Sequence, residues 1–173
     1  MSFGFEKRIQ AIDSAIDDVR CLVFAAASND GGNRQRTHPA DHDRVICVHS
    51  SDTLGNHSRF TPNPKDRADN FSTLGEAIES AWPGVPGGCD LKTKSGTSFA
   101  TPIAVGIAAF VIEYSRQRIM DEFVLDRLRQ PGGMKQVFRL MQSVRGGYQY
   151  LAPWDYFRKE EVFVIQSILN ALS

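Results

Sequence analysis

The chain of 173 residues carries 20 lysines and arginines against 20 aspartates and glutamates, so its formal net charge is zero. This balance argues against a general binder of nucleic acid or of anionic membranes, because both need excess positive charge. A hydrophobic fraction of 42% argues against a disordered chain, and the length suits one domain or slightly more.

Cysteine usage and the chain start bear on the cellular compartment. The three cysteines, Cys21, Cys47 and Cys89, form no paired framework, which is typical of a reducing compartment. The start, MSFGFEKRIQAID, shows no basic segment followed by an apolar run, and the longest apolar stretch, 103–112, is shorter than a bilayer span. We therefore expect an intracellular, cytoplasmic protein without membrane contact. The sequence has no Cys/His cluster of the kind that binds zinc, and it implies no cofactor.

Helix and strand patterns alternate through the first two thirds of the chain, which predicts an α/β fold with a layered sheet. Isoleucines at three- and four-residue spacing indicate an amphipathic helix, and continuous apolar runs indicate strands covered on both faces. The predicted elements, in order, are a helix over 6–20, strands over 21–27 and 45–49, strand and turn pieces over 71–82, a loop over 83–94, and a helix from Gly96 to Arg118 that is buried on every face.

The last third has a different pattern. Three amphipathic helices are predicted over 121–130, 135–143 and 158–172, separated by segments rich in glycine, proline and tryptophan at 131–133 and 146–154. The sequence therefore predicts two parts, a layered α/β portion over residues 1–118 and a helical extension over 119–173.

The strongest chemical signal is the segment Ser95 to Pro102, which reads SGTSFATP. It places the hydroxyl of Ser98 in the first turn of a helix, where unpaired N–H groups and the positive end of the helix dipole can stabilise a developing oxyanion. The same position also suits a simple helix cap. The spacing alone leaves both interpretations open.

A second signal is the segment Ala25 to Gly31, which reads AAASNDG. Asn29 follows a buried strand at the carboxyl edge of the predicted sheet, where ligands of α/β proteins usually bind. Its side-chain amide can donate to an oxyanion there. Asn-Asp-Gly is also ordinary turn chemistry, so this segment alone has two interpretations.

Taken together, these segments resemble the subtilisin-like serine peptidases, or subtilases. The run 96–102 matches the family's nucleophile signature, and the run 26–31 resembles its oxyanion-hole segment, with Ser28 where a glycine is more usual. Ser2-Phe3-Gly4 is similar to the family's substrate-binding strand. The resemblance extends from residue 1 to about residue 115, and the last third resembles extensions of fungal intracellular members.

This resemblance implies a serine endopeptidase with a partial subtilisin-like parallel sheet and a peptide or protein as substrate. Ser98 would be the nucleophile, and Asn29 would donate to the oxyanion together with the N–H of Ser98. A peptide would bind by strand addition along the edge formed by these segments. The implied substrate-binding residues are Ser2, Phe3, Gly4, Ala26, Ala27 and Ser28.

The resemblance also implies a catalytic aspartate and histidine that precede the substrate-binding strand, in D-x-G and H-G-T segments. This chain holds neither segment in the right placement. Its four histidines, His38, His42, His49 and His57, fall in segments that match non-catalytic loops and strands. We therefore expect a truncated or inactive form, with the exposed sheet edge open to pairing with a partner.

Two other interpretations stay open. The chain could be a catalytically dead module that binds peptides or regulates a full-length relative. Alternatively, His42 or His57 could serve as a replacement base, or the His/Asp run 38–43 could bind a metal ion, although a solvated loop is the simpler interpretation of that run.

Overall fold

The computed structural model describes residues 1–83 and 89–173. The helices in this part of the chain are α1 (Gln10–Asp18), α2 (Thr97–Arg118), α3 (Glu122–Leu128), α4 (Pro131–Leu140), α5 (Pro153–Phe157) and α6 (Glu161–Leu172). The strands are β1 (Val23–Ala26), β2 (Val45–Ser51), β3 (Phe71–Leu74), β4 (Ile78–Pro83), β5 (Cys89–Lys94), β6 (Gln142–Arg145) and β7 (Tyr148–Leu151).

Five strands form the main sheet, in the order β1-β2-β3-β7-β6. Neighbours from β1 to β7 run parallel, and β6 is antiparallel to β7 at one edge. The register places Ala25 beside Cys47, and Ser72 between His49 and Tyr150. The predicted α/β fold with a parallel sheet flanked by helices is therefore confirmed.

The strands are covered on both faces because their side chains alternate between two cores. Phe24 and Ile46 point into the larger core, which they share with residues of α2, α3, α4 and α6. Ala25 and Cys47 point the other way and pack against Ile16 of α1. This burial explains why the strands are continuous apolar runs in the sequence.

The predicted loop over 83–94 is wrong for residues 89–94, which form β5 and pair antiparallel with β4. The loop prediction rested on prolines and glycines that are concentrated in residues 83–88, between the two strands. Residues 84–88 lie outside the described part of the chain. Lys94 holds its ammonium 3.5 Å from the centre of the Trp82 ring across the strand pair, a cation–π contact.

The C-terminal part keeps its predicted helices and adds a hairpin that the sequence interpretation treated as a spacer. β6 and β7 are joined by Gly146 and Gly147, whose φ angles are +56° and +85°. Two consecutive positive φ angles suit a two-residue hairpin turn, and glycine adopts them without strain. Pro131 begins α4 instead of separating two helices. The boundary at residue 118 stays a prediction.

Helix α2 differs from its prediction because only one face is buried. Ala104 and Ala108 have almost no exposed surface, whereas Ile103, Val105 and Phe110 are 36%, 43% and 52% exposed. The sequence showed apolar residues on nearly every face, which is typical of a helix surrounded by protein. The covering of this outward face is partial: the ring of Phe110 meets the ring of Phe157 of α5 edge-on, with centroids 5.0 Å apart.

The apolar stretch 103–112 underestimates the length of the apolar helix that contains it. Within residues 1–83 and 89–173, α2 is one helix long and apolar enough to cross a membrane by length and composition, with a mean hydropathy of 1.4 over its best window. A helix that packs in the core of a domain satisfies the same criterion. The expectation of no membrane contact stays a prediction.

Candidate active site

Ser98 is the second residue of α2 and is half-buried at the end of the helix. The residue before the helix, Gly96, is fixed by a hydrogen bond of 2.8 Å from its N–H to the carbonyl oxygen of Gly75. A Cβ atom on Gly75 would lie 2.9 Å from the backbone oxygen of Gly96 and nearer still, 2.4 Å, to Oγ of Ser50. Two glycines in close contact therefore set the position at which α2 begins.

Asn29 lies three residues beyond β1 and contacts the start of α2. Its side-chain oxygen accepts hydrogen bonds from the N–H of Thr97 at 2.8 Å and from the hydroxyl of Thr97 at 3.0 Å. The amide is therefore oriented with its oxygen toward the helix and its NH₂ group directed elsewhere. Gly96 leaves room for this group, since a Cβ there would lie 3.3 Å from Nδ2 of Asn29.

Two N–H donors at this end of α2 are left unpaired in the described residues. Neither the backbone N–H of Ser98 nor Nδ2 of Asn29 has a hydrogen-bond partner within residues 1–83 and 89–173. The next two helical N–H groups, those of Phe99 and Ala100, bond to the carbonyl oxygen of Gly96. Free donors at a helix N-terminus suit a developing negative charge.

Pro102 lies inside α2 and interrupts its pattern of backbone hydrogen bonds. It is the sixth residue of the helix, in the second turn, and not at the first position where a missing N–H costs nothing. A helical N–H at this position would bond to the carbonyl oxygen of Ser98, four residues earlier. The hydroxyl of Thr101 bonds to the neighbouring carbonyl of Thr97 at 2.8 Å.

Ser28 has a backbone φ of +145°, which side-chain-bearing residues rarely adopt. This is the position where the subtilase pattern has glycine, and the structure gives the physical reason for that preference. The carbonyl oxygen of Ser28 accepts a hydrogen bond from the hydroxyl of Thr97 at 3.2 Å. The strained residue thus joins Asn29 to the start of α2.

The segment Met1 to Phe5 lies beside the outer edge of β1. The N-terminal amine of Met1 donates to the carbonyl of Phe24, and the N–H of Ala26 donates to the carbonyl of Met1 at 2.9 Å. Phe5 and His38 exchange backbone hydrogen bonds of 2.8 and 3.0 Å. This pairing holds the predicted substrate-binding strand along the sheet.

The six predicted substrate-binding residues differ in accessibility. Ser2, Phe3 and Gly4 are exposed, and Gly4 must lack a side chain because a Cβ would lie 2.0 Å from the hydroxyl of Thr37. Ala26 and Ala27 are buried, and their N–H groups bond inside the fold. The alanines can therefore contribute to a pocket only as packing beneath it. The binding role of all six stays a prediction.

Two of the four histidines surround Tyr148, in the region between β2 and β7. The ring of His57 stacks on that tyrosine with centroids 4.9 Å apart, and His49 meets it edge-on at 5.1 Å. His49 is fully buried, and its Nδ1 lies 3.1 Å from the hydroxyl of Thr61. Burial lowers the pKa of His49 to about 3, so this imidazole is neutral in the folded chain.

The other two histidines contact acidic residues of α1 and of the loop after β1. His38 has Nδ1 3.2 Å from Asp41 and Nε2 3.7 Å from Asp13. His42 has Nε2 3.7 Å from Asp13 and 3.6 Å from Asp17. Within the described residues, no group of three such side chains is arranged to hold a metal ion. The run 38–43 therefore forms histidine–carboxylate contacts between α1 and the loop after β1.

No hydrogen bond or ion pair in the described part of the chain joins any of these imidazoles to Ser98. The hypothesis of a replacement base at His42 or His57 has no geometric support among these residues. The structure brings together Ser98, Asn29 and Thr97. The sequence interpretation missed the role of Thr97 in orienting Asn29, because that contact joins positions 68 residues apart.

Comparison with known proteins places these features in a family. The model of the Subtilase family matches residues 1–129. The subtilisin-like protease het-Q2 of Podospora anserina is 31% identical over 138 residues, which cover 73% of this chain and 37% of that protein. The subtilisin-like serine protease Pen c 1 of Penicillium citrinum is 33% identical over 114 residues, covering 65% of this chain and 27% of that protein.

Two solved structures share the fold. A mutant of the protease domain of PatA aligns with a TM-score of 0.70 at 22% identity, and the prenylagaramide maturation protease PagA aligns with a TM-score of 0.65 at 23% identity. Each alignment covers 99% of this chain and 58% of the other chain. The chain thus spans less than two fifths of the length of the two fungal relatives and under two thirds of these solved domains.

Proposed function

The chain belongs to the subtilase family, and we propose that it supplies the nucleophile and the oxyanion-binding groups of a subtilisin-like serine endopeptidase. One observation carries this proposal. The bond from Thr97 to Asn29 turns the amide NH₂ of Asn29 away from the helix, so that it and the N–H of Ser98 are both free to donate. This is the donor pair that acyl transfer to a serine requires.

In the proposed reaction, the oxygen of Ser98 forms a bond to the carbonyl carbon of a peptide, and the carbonyl oxygen becomes an oxyanion. The N–H of Ser98 and Nδ2 of Asn29 donate to it. A base takes the hydroxyl proton and returns it to the departing amine, and water then hydrolyses the acyl-serine. The exposed segment Ser2-Phe3-Gly4 would hold the peptide by backbone pairing.

We assign neither the base nor its orienting aspartate to a residue of this chain. We propose that the chain alone is nearly inactive, because loss of the catalytic histidine costs about 10⁶ in turnover in enzymes of this type. The positions of His38, His42, His49 and His57 support this, since their contacts lie with α1 or with Tyr148. Intracellular location stays a prediction from composition.

Two experiments test the proposal. A fluorophosphonate probe should leave the isolated chain unlabelled, at the level of its Ser98→Ala variant. The genomic sequence before the codon of Met1 should encode an in-frame D-x-G segment followed by H-G-T. Efficient labelling of Ser98 in the isolated chain would contradict its inactivity, and stop codons throughout that upstream sequence would contradict truncation.

A catalytically dead peptide-binding module is the second candidate, and the exposed residues Ser2 to Gly4 favour it. A backbone edge held beside β1 can bind an extended peptide without any base. Fluorescence anisotropy with labelled peptides tests this function. Saturable binding by the folded chain, unchanged in Ser98→Ala, would support the module, and no binding to any peptide of a diverse set would exclude it.

A further inference from the structure

A small cavity lies between the loop after β1, the segment before β3 and helix α4. Its volume is about 210 Å³, and residues of β2 form part of its wall. Four cationic side chains from the other three segments line it, namely Arg36, Lys65, Arg67 and Lys135. Because the formal net charge of the whole chain is zero, this concentration of positive charge is a local feature.

Three carboxylates line the same cavity, but they neutralise little of this charge. Asp69 forms a bidentate pair with Arg139, which is not part of the lining, through two bonds of 2.8 Å. Asp41 lies 3.8 Å from Nε of Arg8, which is also outside the lining. Asp43 is the lining carboxylate that has no ion-pair partner in residues 1–83 and 89–173. The cavity therefore carries an excess of positive charge.

Two of the four cations are partly buried. Nε of Arg36 has no exposed surface and no hydrogen-bond partner in the described part of the chain, although the guanidinium also donates to the backbone oxygen of Asp69. Lys135 donates to the backbone oxygen of Asp43 at 2.9 Å, and burial lowers the pKa of its ammonium. Buried charges in proteins are ordinarily paired, so an anion between these two groups would offset the cost of burying them.

We propose that this cavity binds a phosphate group, carried by a small molecule or as the free ion, between Arg36, Lys65, Arg67 and Lys135. Arginine binds phosphate oxygens through paired N–H donors, and lysine binds them as a compact charge. A volume of about 210 Å³ has room for several water molecules, so a single tetrahedral anion fits. The inference does not depend on the proposed function.

A wider cleft next to the cavity favours a phosphate carried by a small molecule. This cleft has a volume of about 630 Å³, and Arg36, Asp41 and Lys65 border both spaces. Its other side chains include the uncharged polar groups of Asn33 and Asn63. An organic group attached to the phosphate would lie in this cleft and gain contacts that the free ion cannot make.

The cavity also joins parts of the chain that bear on the candidate site. Arg36 immediately precedes Thr37, whose side chain packs against Gly4 of the predicted substrate-binding segment. Lys135 belongs to α4, in the C-terminal part of the chain. An anion that contacts both cations would hold the loop after β1 between α4 and this segment.

Isothermal titration calorimetry of the 173-residue chain tests the site, with inorganic phosphate and phenyl phosphate as probes at constant ionic strength. We expect saturable binding with a Kd of about 1 mM or tighter. Lys65→Met and Arg67→Gln should each raise the Kd by about tenfold or more, because each removes a charge-assisted contact. Both side chains are exposed, so these variants should fold.

Arg129→Gln is the matched control, because Arg129 lines a different cavity and pairs with Asp126. It should leave the Kd within about twofold of the wild-type value. Tighter binding of phenyl phosphate would assign the site to a phosphate monoester, and equal or tighter binding of inorganic phosphate would assign it to the free ion. A Kd that is unchanged in Lys65→Met and Arg67→Gln, or raised equally in Arg129→Gln, would overturn the proposal.

Asp43→Asn distinguishes an anion site from a cation site. Removal of this exposed carboxylate should lower the Kd for phosphate by about threefold, because a repulsive charge beside the anion is lost. Calcium chloride is the opposing probe, and calcium binding that Asp43→Asn weakens, without saturable phosphate binding, would overturn the proposal. No peptide substrate enters these titrations, so their failure would leave the proposed function standing.

Discussion

The side-chain oxygen of Asn29 accepts the backbone N–H of Thr97 at 2.8 Å, which links the end of β1 to the first residue of α2 across 68 positions of sequence. This bond determines which end of the amide faces the helix, since an NH₂ group in that position would oppose the N–H of Thr97. The orientation of the donor at Asn29 therefore depends on the backbone of α2 and not on the loop that carries Asn29.

Asn29→Asp separates orientation from donation, because a carboxylate still accepts the N–H of Thr97 but has no N–H to donate. We expect the variant to fold. In a single-chain fusion to the part of the Podospora anserina het-Q2 protease that lies outside the aligned region, it should lose about 10²–10³ in turnover of a peptide substrate. Steady-state kinetics and circular dichroism measure the two effects. A turnover within about threefold of the wild type would remove Asn29 from the oxyanion site.

Ser28→Gly should stabilise the chain, because the φ of +145° at Ser28 strains any residue with a side chain. Relief of that strain is worth about 1 kcal/mol, partly offset by the greater flexibility of glycine in the unfolded state. Urea denaturation gives the change in the free energy of unfolding. Ser14→Gly, in the interior of α1, is the control and should destabilise the chain by up to about 1 kcal/mol. Destabilisation at both positions would argue against strain at Ser28.

His49 should make the stability of the chain depend on pH. Burial lowers its pKa from 6.5 to about 3, so below the unfolded value the unfolded state binds the proton that the folded state rejects. The contribution of His49 to the free energy of unfolding is complete above pH 6.5 and decreases as the pH falls toward 3.

Wild type and His49→Gln, compared by urea denaturation, measure this contribution. The wild type should lose about 1.4 kcal/mol more than the variant between about pH 7.5 and about pH 5.5. The remaining titratable groups are common to both proteins and cancel in the comparison. Parallel pH profiles for the two proteins would show that His49 is not buried in a neutral form.

Cys47 and Cys21 should differ sharply in reactivity. Burial raises the pKa of the Cys47 thiol to about 11, whereas the Cys21 thiol is exposed. Only the thiolate reacts with alkylating agents, so in the native chain we expect iodoacetamide to modify Cys21 and to spare Cys47 until urea unfolds the protein. Peptide mass mapping identifies each site. Modification of Cys47 at the rate of Cys21 under native conditions would contradict the buried position of β2.

The sequence predicted the parts of the fold that local pattern controls. The strand from Val23 to Ala26 and the start of α2 at Thr97 agree with the apolar run and the SGTS segment. The hairpin over β6 and β7 was missed although Gly146-Gly147 is a turn signal, because the strands on either side are short and only Tyr148 to Leu151 is largely buried. Its pairing with β3 depends on tertiary structure.

The candidate site could be predicted residue by residue but not as an arrangement. The residue types at Ser98 and Asn29 carried the resemblance to subtilases, and the positive φ at Ser28 agrees with the glycine usual there. The orienting bond from Thr97 joins distant segments, and no local pattern encodes it. The exposed face of α2 was also unpredictable, since an apolar helix pattern does not reveal which faces other parts of the protein cover.

Peptide hydrolysis by the fusion is the most direct test of the central claim, that Ser98 and Asn29 form the nucleophile and oxyanion site of a peptidase whose base lies on another segment. The account predicts hydrolysis by the fusion, none above background by the 173-residue chain, and none by the fusion with Ser98→Ala. Hydrolysis by the 173-residue chain, or activity of the fusion that persists in Ser98→Ala, would contradict it.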